Sequence, residues 1–242
     1  MPTRVEASER THAHASRDEM VTALADQIET ALTSAIKARG RASLAVSGGS
    51  TPKPLYAALS QRDVDWSKVT VILVDERWVE PGEPGSNESF VRDSLLQDKA
   101  AAATFIGLKS PATTPQAGLA ERLETLPAGL FPLDIAVLGM GSDGHTASWF
   151  PHADGLEDCL REDAKPLAAV TADRSEVTGD HLQRMTLTLP VLEAARASVL
   201  MLTGVDKQRT LSVAREAGGV ATMPVRALLR SPRAHLQIHW AL

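Results

Sequence analysis

The chain has 242 residues and a formal net charge of -5, an acidic balance that excludes general nucleic-acid affinity unless a local basic patch supplies it. With 43% hydrophobic and 23% charged residues it reads as an ordinary soluble globular chain, and its length suits one α/β domain over 1–242. A single cysteine, Cys159, excludes an internal disulfide framework and a multi-cysteine metal site.

The first fourteen residues mix Arg4, Glu6, Glu9 and Arg10 without an apolar run, so no secretory signal is read there and the expected location is cytoplasmic. No run approaches a membrane-spanning length, so no membrane partner is expected. Helical spacing then covers 17–39, and strand-type apolar runs and helices alternate from there on. Strands are predicted at 43–46, 69–74, 133–138, 167–170, 198–203 and 236–240, and helices at 52–60, 88–96, 116–125 and 206–217. Segments 79–85 and 111–115 read as turns, and Ser86 or Asn87 is placed to cap the helix that follows. Alternation of this kind predicts a mainly parallel sheet covered by helices on both faces, with ligands bound beyond the carboxyl ends of the strands.

Three segments follow strands and carry chemistry. In Ser47-Gly48-Gly49-Ser50-Thr51-Pro52, paired glycines allow close backbone approach, and the free N–H groups of a helix start suit an anion. A plain Ser/Thr-capped turn is the competing reading, and the two glycines beside two hydroxyls favour phosphate. Asp75-Glu76-Arg77 sets three charges where a buried strand emerges; a salt-bridged strand end would explain them in isolation. The third segment, Gly139 to Thr146, is open to three readings. Gly139, Gly141 and Gly144 match a dinucleotide fingerprint, and the loop nearly matches a P-loop, but His145 stands where lysine belongs.

The continuation decides among these. Trp149-Phe150-Pro151-His152 interrupts the helix that a dinucleotide fold requires, and no acid ends the next strand. Histidine, the side chain whose ordinary charge change lies near neutrality, is instead suited to proton transfer, with Asp143 two residues away to hold or polarise a neighbouring group. Arg184 and Lys207, taken singly, read as solvated charges. His12 with His14 and His235 with His239 have spacings that could bind metal, yet no carboxylate or cysteine pattern accompanies them, so neither metal nor cofactor is expected.

Taken in order, Ser47-Gly-Gly-Ser-Thr-Pro, Asp75-Glu-Arg with Ser86-Asn87, the segment from Gly139 to Pro151, Arg184-Met-Thr-Leu-Thr and Gly204-Val-Asp-Lys resemble the 6-phosphogluconolactonase family. That family belongs to a wider sugar-phosphate group with glucosamine-6-phosphate deaminase. The resemblance implies a Rossmann-like three-layer fold without nucleotide, and hydrolysis of 6-phosphoglucono-1,5-lactone in the pentose phosphate pathway, with no protein partner required. It also implies that Gly48, Gly49, Ser50 and Thr51 cradle the sugar phosphate with Arg184 and Lys207. By the same resemblance His145 is catalytic, and Asp75 and Arg77 face the ring and the reacting group. Asp143 or Asp75 would orient His145 or Arg77. Ser142, Trp149 and His152 depart from the proline, leucine and glycine common in relatives, which bears on pocket shape. The deaminase branch carries a glutamate and an asparagine after the histidine, where this chain has Thr146-Ala-Ser-Trp-Phe, and an aromatic residue in place of Arg77. A non-catalytic sugar-phosphate sensor would need an attached DNA-binding segment, whereas about one helix precedes the first strand.

Overall fold

The computed structural model describes residues 10–242, so much of the N-terminal stretch read as lacking a signal lies outside the described residues. Helix α1 (Arg17–Arg39) is bounded as its sequence dictates. The Ser16 hydroxyl accepts from Glu19 N, Asp18 and Glu19 occupy the first turn, and Gly40 takes the left-handed conformation that closes the helix. Met20, Leu24, Ile28 and Leu32 repeat every four residues and bury one face.

The main sheet has seven parallel strands in the order β1-β10-β9-β6-β2-β3-β5. Its centre is β2 (Ala42–Val46) and β6 (Ile135–Leu138), whose residues are all buried, as a sheet covered on both faces requires. From β1 (Arg10–Ala13) to β2, β3 (Val69–Leu73) and β5 (Thr104–Ile106) the chain moves one way, through α1, α2 (Lys53–Ser60) and α3 (Asn87–Ser94). It then returns to β6, β9 (Ser198–Thr203) and β10 (Leu236–Ala241) the other way, with α4 (Pro115–Glu124), α5 (Leu156–Leu160), α6 (Leu189–Ala194), α7 (Val205–Arg215) and α8 (Arg226–Leu229) in the connections. Right-handed crossovers put the two sets of helices on opposite faces, which is the Rossmann-like three-layer arrangement. The direction reverses between β2 and β6, where a crevice opens at the carboxyl ends.

A second, antiparallel sheet of β4 (Asp75–Arg77), β8 (Gln183–Leu187) and β7 (Leu167–Thr171) stands at that same edge, tied to the end of β3 by the Leu187 N–H donating to Val74 O at 2.8 Å. The apolar patterns locate most elements within two residues. Strand β1 departs from expectation: a strand precedes α1, and its Arg-Thr-His-Ala has no apolar signal because β10 supplies the pairing. Strand β5 has three residues and is set by pairing with β3. Asp75–Arg77, read as a strand end, is a strand of the second sheet. Among the described residues no helix is long and apolar enough to cross a membrane.

The turn after β2 is latched from both sides. Ser47 Oγ donates to Val137 O of β6 at 2.9 Å, and the fully buried Tyr56 hydroxyl of α2 donates to Ser47 O at 2.7 Å. Burial pushes the Tyr56 phenol far above its usual range, so it remains a donor. Removing it strands a buried carbonyl; Tyr56→Phe is expected to cost about 1–3 kcal/mol in urea unfolding with an unchanged m-value.

Candidate active site

The crevice is a cleft of about 470 Å³ whose wall includes Ser47 to Pro52, Asp75, Arg77, Asn87, Gly139 to Ser142, His145, Phe150, Arg184 and Lys207. On one side, Gly49 has a φ of 98°, open to glycine at no steric cost, and a Cβ on Gly48 would overlap the Asn87 amide. Helix α2 starts beyond Pro52 with no side-chain cap, so the Ser50 and Thr51 hydroxyls are not consumed as a cap. The capped-turn reading of this segment is therefore not what the fold contains.

Opposite, the chain from Gly139 to Gly155 makes no regular helix; α5 begins only at Leu156. The loop closes on itself through Gly141 N to His145 O at 2.9 Å and Thr146 Oγ1 to Gly139 O at 2.8 Å. Asp143 Oδ1 lies 2.6 Å from His145 Nδ1 and also accepts from His145 N at 3.1 Å. A Cβ on Gly141 would overlap both side chains, so that glycine makes room for the pair. Burial works to raise the Asp143 carboxyl, but the hydrogen bonds and charge of His145 prevail and hold it below its usual value. With Nδ1 committed to a carboxylate, the proton belongs on Nδ1 and the lone pair on Nε2. The ring lies against Phe150, centroids 4.4 Å apart.

Of the charged residues from the second sheet, Asp75 and Arg184 are buried and Arg77 is half-buried. Asp75 accepts from the Ser148 hydroxyl at 2.6 Å and stands 3.9 Å from Arg184 Nη1. Arg77 and Arg184 are cross-strand neighbours; Arg77 Nη1 donates to Gly85 O at 2.6 Å, and its Nε has no partner among the described residues. Arg184 is only 4% exposed, lies over the Phe150 ring and donates to His181 O at 2.6 Å. Burial draws its guanidinium down to about 10 against the pull of Asp75. Read singly from sequence as a solvated charge, it is a desolvated one inside β8. Lys207, in the first turn of α7, is half-buried and drawn below its usual value by burial, while Asp143 opposes that shift.

The structure thus gathers Gly48, Gly49, Ser50, Thr51, Asp75, Arg77, His145, Arg184 and Lys207 on one cleft, with Asp143 behind the histidine. Of the two aspartates, Asp143 pairs with His145, and Asp75 turns to Ser148 and Asn87. Sequence reasoning missed Glu76, which is fully buried and accepts from Asn87 N and Glu88 N at 2.7 Å and from Arg77 N at 2.8 Å. Burial pushes its carboxyl up to about 7 against those donors, and through them it fixes the start of α3 to β4. Ser86 caps the same helix, as expected. Ser148 and Phe150 were missed as well; their roles come from contacts across the fold, and only their nearness to His145 could have flagged them.

Trp149 is buried and donates to Leu187 O at 2.9 Å, while His152 has a φ of 57°, a left-handed conformation that favours glycine. Cys159 is buried, its thiol pushed up to about 12. His12 and His14 stack on His239 at 4.7 and 5.2 Å, which joins both histidines of the first sequence pair to one of the second, and His235 takes no part in that stack. Among the described residues no group of three or more His, Cys, Asp or Glu is arranged to hold a metal.

A family model described as glucosamine-6-phosphate isomerases/6-phosphogluconolactonase matches residues 15–240. A curated 6-phosphogluconolactonase of Rhizobium meliloti (strain 1021) is 47% identical over 222 residues, 90% of this chain and 93% of its own. Another, of Pseudomonas aeruginosa, is 41% identical over 232 residues, 93% and 92% of the two chains. A solved 6-phosphogluconolactonase structure from Shewanella baltica OS155 matches with a TM-score of 0.91 at 38% identity, over 98% of this chain and 99% of that one. Cleft, motifs and similarity over nearly the whole length agree: the chain belongs to the glucosamine-6-phosphate isomerase/6-phosphogluconolactonase family.

Proposed function

We propose that this chain hydrolyses 6-phospho-D-glucono-1,5-lactone to 6-phospho-D-gluconate in the oxidative pentose phosphate pathway, with His145 as general base. The observation that carries the reading is the Asp143–His145 pair on the cleft wall, 2.6 Å apart, which leaves Nε2 as the basic atom. The names of the curated relatives favour the lactonase half of the family description over the isomerase half. So does Thr146-Ala-Ser-Trp-Phe after the histidine, which lacks the acid that isomerisation would use. Residues 1–242 act as one domain in this reading, since the cleft draws on elements from β2 to α7.

His145 Nε2 takes a proton from water as the water oxygen attacks the lactone carbonyl carbon. Charge develops on the carbonyl oxygen, and Arg77 stabilises it as a preorganised cation. Collapse breaks the bond to the ring oxygen, which receives the proton from His145 and becomes a hydroxyl, so one water is consumed, and the carboxylic acid formed loses its proton to solvent as the gluconate. Asp75 faces the ring, held by Ser148 and Asn87. The phosphate lies against Gly48, Gly49, Ser50 and Thr51 with Arg184 and Lys207 as its cations, and its binding energy positions a carbonyl that lies away from it. No cofactor, nucleic acid or membrane takes part in this scheme.

His145→Ala is expected to lower kcat by roughly 10² to 10⁴ while 6-phosphogluconate still binds, measured against spontaneous lactone opening. Near-normal turnover would remove His145 from the role of base, and wild-type binding of 6-phosphogluconate without turnover would favour a sensor instead. Asp143→Asn, which places an amide donor against Nδ1 and favours the other tautomer, should lower kcat at least about 10-fold with little change in KM. Lys207→Ala should raise KM about 10-fold or more and leave kcat nearly unchanged. An unaltered KM in that variant would take Lys207 out of the phosphate clamp.

A further inference from the structure

We propose that Arg226 is a positioning residue for His145, acting through the segment 216–225 that it folds and that grips the histidine loop. The inference rests on the lactonase reading only for what the loop does, not for how it is held.

Arg226 is 6% exposed, and its guanidinium meets backbone carbonyls and a hydroxyl. Nε donates to Ala214 O at 3.2 Å and Nη2 to Val213 O at 3.0 Å, two carbonyls of the last turn of α7. Nη1 donates to Gly219 O at 3.0 Å and to Thr222 Oγ1 at 3.3 Å. Gly218 has no side chain because a Cβ there would overlap the same guanidinium. Burying a cation among carbonyls carries a desolvation cost, and a bare helix cap could sit in water. What the burial adds is a folded 216–225 segment, with no regular element of its own, bound to both α7 and α8.

That segment is an outside support of the loop next to His145. Val225 N donates to Gly144 O at 2.9 Å, and His152 N donates to Ala221 O at 3.1 Å. The Met223 side chain lies so close to Gly144 that a Cβ would overlap it, and Gly144 has a φ of 77°. The later half of the loop has further holds of its own, through Ser148 to Asp75 and Trp149 to Leu187. The early half, which carries Asp143 and His145, leans on 221–225. Arg226 touches neither His145 nor the cleft wall, and its effect reaches the reaction through Gly144.

The test reads amide hydrogen exchange and steady-state kinetics in folded Arg226→Lys, which keeps the charge and loses the fork, and in Met223→Ala. Exchange of the Gly141 and His145 amides should quicken at least about 10-fold in both variants while β2 and β6 amides hold. The kcat for lactone should fall about 10-fold at unchanged KM, since substrate contacts remain. A role confined to stability would lower the unfolding temperature and leave loop exchange and kcat per folded molecule at wild-type values; that result overturns the proposal. If Arg226→Lys yields no folded protein, Met223→Ala decides by the same two measurements. Should the wild-type protein lack lactonase activity, the functional reading fails, and loop exchange still tests the positioning.

Discussion

The reversal of chain direction between β2 and β6 is the constraint on which the site depends. Neighbouring parallel strands whose connections leave in opposite directions cannot be bridged at their carboxyl ends, so the first turn after each strand faces a gap. One turn carries the paired glycines and the other carries Asp143 and His145. The Ser47 to Val137 bond joins the two strands at the lip, so both turns take their positions from one latch. The second sheet then closes the side of the gap, which is why Asp75, Arg77 and Arg184 arrive from an antiparallel unit rather than from the main sheet.

An acidic protein gathers three cations there by burying them partly. Arg77, Arg184 and Lys207 line one cleft, and two are drawn below their usual values by desolvation. Asp75 restrains that shift for Arg184, and Asp143 for Lys207. Arg184 is further held by the His181 and Thr178 carbonyls of the loop between β7 and β8. Cations kept in place without full neutralisation favour an anionic ligand more than mobile surface charges do, because little reorganisation accompanies binding. This suits a phosphate clamp on a chain of net charge -5.

The histidine loop is over-determined in a different way. Loops without regular structure hold catalytic groups well only when their backbone is bonded elsewhere. Here Gly141, Gly144 and Thr146 supply internal closure, Ser148 and Trp149 fasten the loop to the second sheet, and residues 221–225 support it from α7 and α8. Positive φ values at Gly144, Ala147 and His152 mark how tightly the path is bent.

Much of this was legible in the chain itself. Apolar runs of four to six residues between helical spacings determined the parallel sheet and the ends at which its ligand sites lie, because a strand buried on both faces must be apolar throughout. The Gly48-Gly49 turn, the Asp143–His145 spacing and the breaking of the nucleotide pattern by Trp149-Phe150-Pro151 were equally local. Tertiary structure alone decided which aspartate holds His145, that Arg184 is buried, that Glu76 fastens α3, and that β1 and β5 exist. Those outcomes depend on partners far away in sequence, on desolvation and on strand pairing. Residue order records a side chain's chemistry and its neighbours along the chain, while burial and cross-strand contact exist only once the chain has folded.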